Sequence, residues 1–220
     1  MMIDWFPIRL SFQVSALATL IALMVGVGVA WVLARRQFRG KEWLDAFITL
    51  PLVLPPTVLG YYLLVLLGQR SPLGRMLQSV GITLTFTPAA AVIAATIHAL
   101  PLMVKSVRSA FEEVSPMLEN AARTLGASEL RVFSTITLPL ARRHVLSASV
   151  LAFARALGDF GVTIMIAGNI PGKTQTASVA IYDAMLAGRD GEALVFVGLI
   201  TGLCAMVLYT TNRLSGASLR

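Results

Sequence analysis

Five stretches of this chain are apolar over the length that crosses a lipid bilayer: Leu10 to Ala34, Phe47 to Leu67, Pro88 to Val107, His144 to Ala167 and Ala193 to Tyr209. A spanning helix needs roughly 20 mainly apolar residues, so the pattern predicts an all-α polytopic membrane protein with five transmembrane helices. Small residues recur at every fourth position: Ala18, Ala22, Gly26 and Ala30; Ala148, Ala152 and Ala156; Gly198 and Gly202. In lipid, helices gain little by hiding apolar surface from one another, and such stripes let backbones approach closely instead. They predict intrachain packing, with a second copy as the alternative partner for some faces. The second stretch is entered through Pro51, Pro55 and Pro56. Proline frees backbone carbonyls, which a membrane tolerates only where protein or a water-filled cavity satisfies them. The reading is a bent helix near a pathway or a packing kink.

Besides the basic segment 35–46, three polar segments lie between the apolar runs. The first is Gly68 to Thr87, and another is Asn169 to Glu192, in which Ala177 to Leu186 has the apolar positions of a short interfacial helix (Val179, Ile181, Met185, Leu186). The remaining one, 110–143, is the most informative. Ser115-Pro116 is a helix start, with Ser at the N-cap and Pro in the first turn. Leu118, Ala121, Ala122 and Leu125 then share a face at helical spacing, with Glu119, Asn120 and Arg123 pointing elsewhere. Gly126 can take the left-handed conformation that ends a helix. Ser128 can cap a second short helix, with Glu129 in its first turn and Leu130, Phe133 and Ile136 along one side, until Pro139 breaks the pattern. The prediction is a helix–Gly–helix knob whose small residues let a partner come close, against the alternative of an amphipathic connector lying on lipid.

Charge sets the orientation. Lys and Arg crowd the segments that cytoplasmic loops would occupy. Arg35, Arg36, Arg39, Lys41, Lys105, Arg108, Arg123, Arg131, Arg142, Arg143, Arg213 and Arg220 fall on one side, against Arg9, Arg70, Arg75, Lys173 and Arg189 on the other. This predicts the N-terminus outside, the C-terminus in the cytoplasm, and 110–143 in the cytoplasm. It also accounts for the net charge of +7 without nucleic acid. Composition agrees: mean hydropathy is +0.78 and only 13% of residues are charged, about half the share of a soluble domain. The apolar run that begins at Leu10 exceeds a signal core and reads as a retained helix.

Little else carries chemistry. Cys204 lies inside an apolar run and reads as a small packed hydrophobe. Gly172-Lys173-Thr174 resembles the end of a phosphate-binding loop, but that motif needs a glycine five residues before Gly172, and position 167 is Ala. His98 is alone in the third span and reads as a hydrogen-bonded packing residue, and His144 stands at a membrane edge beside Arg143. No metal-ligand cluster and no nucleophile–base pair is visible, so no catalytic or metal site is expected. Arg155 and Asp159 lie within the fourth stretch. Ionisable groups there are expensive and face protein or water. Four residues apart on a helix they can pair; the sharper reading puts them on a pathway or gate, Arg155 offering positive potential to a passing anion, with Gly158 and Gly161 allowing close helix approach.

The spacing Ala121-Ala122, Gly126, then Ile136-x-Leu138-Pro139 resembles the cytoplasmic coupling loop of ABC importer permeases. Three further stretches resemble the molybdate-type branch: Leu50 to Leu64 (LPLVLPPTVLGYYLL), Ala121 to Ala127 (AARTLGA), and Phe153 to Thr163 (FARALGDFGVT) continuing to Ala167-Gly-Asn-Ile-Pro-Gly172. The resemblance implies a type I ABC importer transmembrane domain over 10–213, coupling loop 110–143 included. It implies a pore subunit for an oxyanion, molybdate first, with tungstate or sulfate as alternatives. Glu119, Asn120, Ala121, Ala122, Arg123, Gly126, Ile136, Leu138 and Pro139 would then couple to an ATPase. Arg155, Gly158, Asp159, Thr163, Pro55 and Pro56 become pathway or gate candidates. The implied partners are a second copy of the chain, an ABC ATPase that uses ATP and Mg, an external oxyanion-binding protein and the bilayer of a prokaryotic plasma membrane. The chain itself would bind no cofactor. The family's usual acidic residue before the Ala pair is here Asn120, with Glu119 one position earlier. A secondary transporter is the competing class, though such folds carry internal repeats and none is evident.

Overall fold

A computed structural model describes residues 4–216, and Arg220, counted above with the cytoplasmic charges, lies outside the described residues. The described chain is all helical, in the order α1 (Phe6–Arg35), α2 (Lys41–Val53), α3 (Pro56–Leu67), α4 (Pro72–Ser79), α5 (Pro88–Glu112), α6 (Pro116–Thr124), α7 (Glu129–Val132), a π-helical turn (Phe133–Thr137), α8 (Leu138–Leu157), α9 (Gly161–Ile166), α10 (Ala177–Leu186) and α11 (Asp190–Gly216).

The central element is α5, packed chiefly against α1 and α8. Its buried face carries Ala90, Ala91, Ala94, Ala95 and Ala99, and α1 answers with Ala18, Ala22, Gly26 and Ala30. A side chain on Gly26 would lie 2.7 Å from Met103 Cγ, so glycine there makes room for the Met103 side chain. The small-residue stripe of α8 is buried as well. Gly198 and Gly202 on α11 behave differently, with open space where their Cβ atoms would be.

Among the described residues three helices, α1, α5 and α11, are long and apolar enough to cross a bilayer, and four if α2 and α3 count as one bent span. Two of the five expected spans are not continuous. The second breaks at Leu54-Pro55, where the axis turns by 112° between α2 and α3. Pro55 and Pro56 supply no N–H to carry the helix across. The fourth begins earlier than expected, runs as α8, stops at Gly158 and restarts as α9. It also carries Arg142, Arg143 and Arg155.

The helix expected over Ala177–Leu186 is present, but it does not offer the expected face. Ala177, Val179, Ala180 and Ala184 are buried, against α11 and α1, while Met185 and Leu186 are exposed. Its entry is fixed by α1: the Ala177 N–H donates to Ser11 Oγ at 2.7 Å.

Candidate functional site: a two-helix knob and two helix breaks

The knob forms at the end of the bundle where α1 stops and α5 gives way to α6. Gly126 has φ +83° and turns the chain between α6 and α7. Arg123 bridges that turn, donating through Nε to Glu129 Oε1 at 2.8 Å and through Nη1 to Asn120 Oδ1 at 2.8 Å. The hydrogen bond with Arg123 holds the Glu129 carboxyl below its ordinary range, and the same bond raises Arg123. Ser115 and Ser128 occupy the expected N-cap positions, yet neither side chain makes a capping hydrogen bond.

The surprise is which face of α6 is buried. Glu119 is 2% exposed, whereas Leu118 is 50%, Leu125 88% and, on α7, Leu130 76% exposed. The carboxylate points into the protein and the apolar face points out. Inside, Glu119 Oε1 accepts from Thr137 Oγ1 at 2.6 Å and from Arg35 Nε at 3.1 Å. Arg35 Nη2 also donates to the Phe111 and Val114 carbonyls at 2.6 and 3.0 Å. One guanidinium therefore ties the end of α1, the end of α5 and the first turn of α6 together. Beside it, the Phe133 ring lies edge-on to Trp31 and Phe111, at centroid distances of 5.7 and 5.8 Å.

The helix does not end at Pro139. The π turn joins α7 to α8 without a gap, with the Leu138 N–H bonded to the Phe133 carbonyl. This five-residue spacing takes up the turn in which Pro139 offers no donor. Of the expected coupling residues, Asn120, Ala121, Gly126 and Pro139 are exposed, Ala122, Arg123, Ile136 and Leu138 half-buried, and Glu119 buried. Leu118, Ile136, Pro139, Leu140 and Arg142 line a cleft of about 510 Å³ next to α6. Because Asn120 is exposed and its one side-chain bond goes to Arg123, Asn120→Ala is expected to change thermal stability by less than about 0.5 kcal/mol. A melting curve of the purified chain checks this, and a large loss would mean that Asn120 carries the load assigned here to Glu119.

The second cluster gathers around the two breaks. α3 and α9 pack together. A Cβ on Gly161 would fall 2.6 Å from Pro56 Cβ, and one on Gly60 2.7 Å from Met165 Cβ. The helix segments just after the breaks thus pack with each glycine directly against a side chain of the other helix. Gly158 has no such neighbour; only the Ala154 carbonyl of its own helix comes within 3.6 Å.

Arg155 and Asp159 do not form the expected intrahelical pair, because α8 has ended before Asp159. His98 of α5 stands between them. Its Nδ1 is 2.7 Å from Asp159 Oδ1, and its Nε2 meets Arg155 Nη2. Asp159 Oδ2 accepts from the Thr163 backbone N–H at 3.1 Å and from Thr163 Oγ1 at 2.6 Å, so Asp159 and Thr163 together close the first turn of α9. Sequence reasoning left His98 out of the site. A buried histidine in an apolar span was the signal, but nothing in the sequence places it opposite Arg155 and Asp159.

Gly172-Lys173-Thr174 belongs to a closed turn. The Ile170 carbonyl accepts from the backbone N–H groups of Lys173, Thr174 and Gln175, and Thr174 is fully buried with its hydroxyl accepting from the Ile170 N–H. Donors turned inward in this way cannot cradle a phosphate.

Comparison with known proteins agrees with the fold and narrows it. The family described as binding-protein-dependent transport system inner membrane component matches residues 13–220. The molybdenum transport system permease protein ModB of Escherichia coli K12 is 50% identical over 193 residues, 86% of this chain and 84% of that protein. ModB of Azotobacter vinelandii is 41% identical over 214 residues, 96% of this chain and 95% of its own length. In structure, the chain resembles the MetNI methionine ABC transporter in its inward-facing conformations, with a TM-score of 0.74 at 18% identity over 98% of this chain and 97% of the other.

Proposed function

We propose a function from this premise: the chain belongs to the family of binding-protein-dependent transport system inner membrane components. It is the pore-forming permease subunit of an ATP-driven importer for an oxyanion, and the oxyanion is molybdate. The substrate rests on the ModB relatives, which match nearly the whole chain. The coupling role rests on one observation: α6 buries the carboxylate of Glu119, while the knob exposes Leu118, Leu125 and Leu130. A connector built for stability would do the reverse, since exposed large apolar groups gathered on one projection mark an interaction site.

In this reading the knob seats in a groove of a separate ATPase chain, which binds ATP and Mg. Ala121 and Ala122 give close approach, and Gly126, Ile136, Leu138 and Pro139 fix the knob's shape. Two copies of the permease form the pore, and an external oxyanion-binding protein delivers the substrate. ATP binding closes the ATPase pair, draws the knobs together and turns the pore outward. The membrane is the prokaryotic plasma membrane, crossed five times with the N-terminus outside, the two broken helices each counting as one crossing. Arg155 stands on the anion's path near the helix breaks, where the freed backbone groups must be satisfied by protein or by a water-filled cavity. The breaks at Pro55-Pro56 and at Gly158–Phe160 form the gate region, with Asp159 and Thr163 shaping it.

The test is reconstitution of the chain with an ABC ATPase and an oxyanion-binding protein. Molybdate uptake into proteoliposomes should require internal ATP and all three components. Uptake without ATP or ATPase would overturn the reading in favour of a secondary transporter, and faster uptake of sulfate than of molybdate would overturn the substrate. Leu125→Asp is the local test. It adds a charge to the most exposed apolar side chain of the knob and should weaken co-purification of the ATPase at least about tenfold, as expected when an interface anchor is lost, while leaving the chain folded.

A further inference from the structure

His98 is the buried titratable group that the coupling mechanism leaves unused. It is 4% exposed and sits near the middle of α5, about 15 Å from its start and about 21 Å from its end at 1.5 Å per residue. The chemistry of its two neighbours fixes its state. A guanidinium only donates hydrogen bonds, and an ionised carboxylate only accepts them. A group bridging Arg155 and Asp159 must therefore accept on one side and donate on the other. Neutral histidine does so in a single tautomer, with the proton on Nδ1 facing Asp159 and the lone pair on Nε2 facing Arg155.

The ledger of donors is lopsided. Both Asp159 oxygens are occupied, Oδ1 by His98 and Oδ2 by Thr163. Arg155 carries five N–H donors, and among the described residues its side chain meets only His98. It is half-buried on the last turn of α8. A cation at membrane depth with most of its donors unengaged is costly unless those donors serve a ligand. A tetrahedral oxyanion, which accepts on every oxygen, is the ligand that suits them.

We propose that His98 is a positioning residue for transport: as the neutral Nδ1–H tautomer, it fixes Arg155 across the α8–α9 break so that the remaining guanidinium donors face the passing oxyanion. The proposal rests on the reading of Arg155 as a pathway residue. His98 acts through Arg155 and touches no substrate. Glutamine at this position can do the same work, since its amide both donates and accepts, whereas leucine can do neither.

The experiment uses the reconstituted complex of permease, ATPase and binding protein, with molybdate outside and ATP inside, and compares His98→Leu, His98→Gln, Arg155→Gln and the double variant His98→Leu, Arg155→Gln. Arg155→Gln should lower uptake about tenfold, the scale of one lost charge-assisted hydrogen bond. His98→Leu should do the same, and the double variant should be no worse than Arg155→Gln alone. His98→Gln should retain at least half of the uptake. ATP hydrolysis stimulated by the loaded binding protein should persist in every variant, so that molybdate moved per ATP falls. If Arg155→Gln transports normally, the pathway reading of Arg155 fails and this inference with it. If Arg155→Gln is impaired while His98→Leu transports normally, this inference alone fails. Multiplicative losses in the double variant, or a His98→Gln as impaired as His98→Leu, also overturn it. If His98→Leu does not assemble, His98→Met takes its place, and failure of both to assemble overturns the proposal in favour of a structural role.

Discussion

Replacing Arg35 by Met is expected to destabilise the chain by about 3–5 kcal/mol, the scale for a buried ion pair that loses one partner. The cost has a specific origin. Glu119 is 2% exposed and Arg35 only 13%, so a carboxylate without its cation is stranded at the foot of α6. The Phe111 and Val114 carbonyls lose their donor at the same time. Thermal unfolding in detergent would show the loss as a lowered midpoint, and reconstituted uptake should be abolished. A paired substitution separates stability from coupling. Swapping both members of a buried pair for apolar residues of similar volume is often neutral, so Arg35→Met with Glu119→Leu should regain most of the stability. Uptake should stay low, because the knob is no longer tied by directional bonds to α1 and α5. Full recovery of both quantities would reduce the cluster to a fold-stabilising one.

The second large effect is expected at Gly161. Alanine there places a methyl 2.6 Å from Pro56 Cβ, closer than carbon atoms can sit, and the proline ring cannot rotate aside as a flexible side chain would. Overpacking of this kind costs about 1–3 kcal/mol and must push α3 and α9 apart. Gly158→Ala is the matched control, since its nearest neighbour is 3.6 Å away. Uptake by Gly161→Ala should fall roughly tenfold or more, while Gly158→Ala stays within about twofold; a few kcal/mol separate the two sites. Equal behaviour of both variants would show that the contact between the two breaks does not matter.

Much of this was legible in the sequence, and what was not has identifiable causes. Hydropathy located α1, α5 and α11 because a continuous apolar run of spanning length has few other readings. Pro51, Pro55 and Pro56 announced a bend in the second run, though not a turn of 112°. The stop at Gly158 was hidden: helical spacing makes Asp159 one member of a pair on a continuous helix, so His144–Ala167 looked unbroken. The knob was visible through Pro116 and Gly126, whose backbone preferences are local. The inward turn of Glu119 was not, because it depends on Arg35, 84 positions away. Amphipathic spacing names two faces of α6 but does not say which is covered, and the usual assumption that the apolar side turns inward gives the wrong answer. His98 was missed for the same reason: its partners are 57 and 61 positions distant. Arg155 and Asp159 were found as a pair by spacing, but the helical geometry that would have joined them directly ends between them.

The π turn at Phe133–Thr137 has a consequence for how the knob is aimed. One additional residue in a helical turn offsets everything before it by about 100° of azimuth, since each residue of an α-helix advances by that angle. The bearing of Leu130 and the α6–α7 turn relative to α8 is thus set by a counting step in the chain rather than by side-chain fit. Removing one residue between 133 and 137 would leave an ordinary helix of nearly the same length and composition, with its cargo of exposed leucines facing another compass direction.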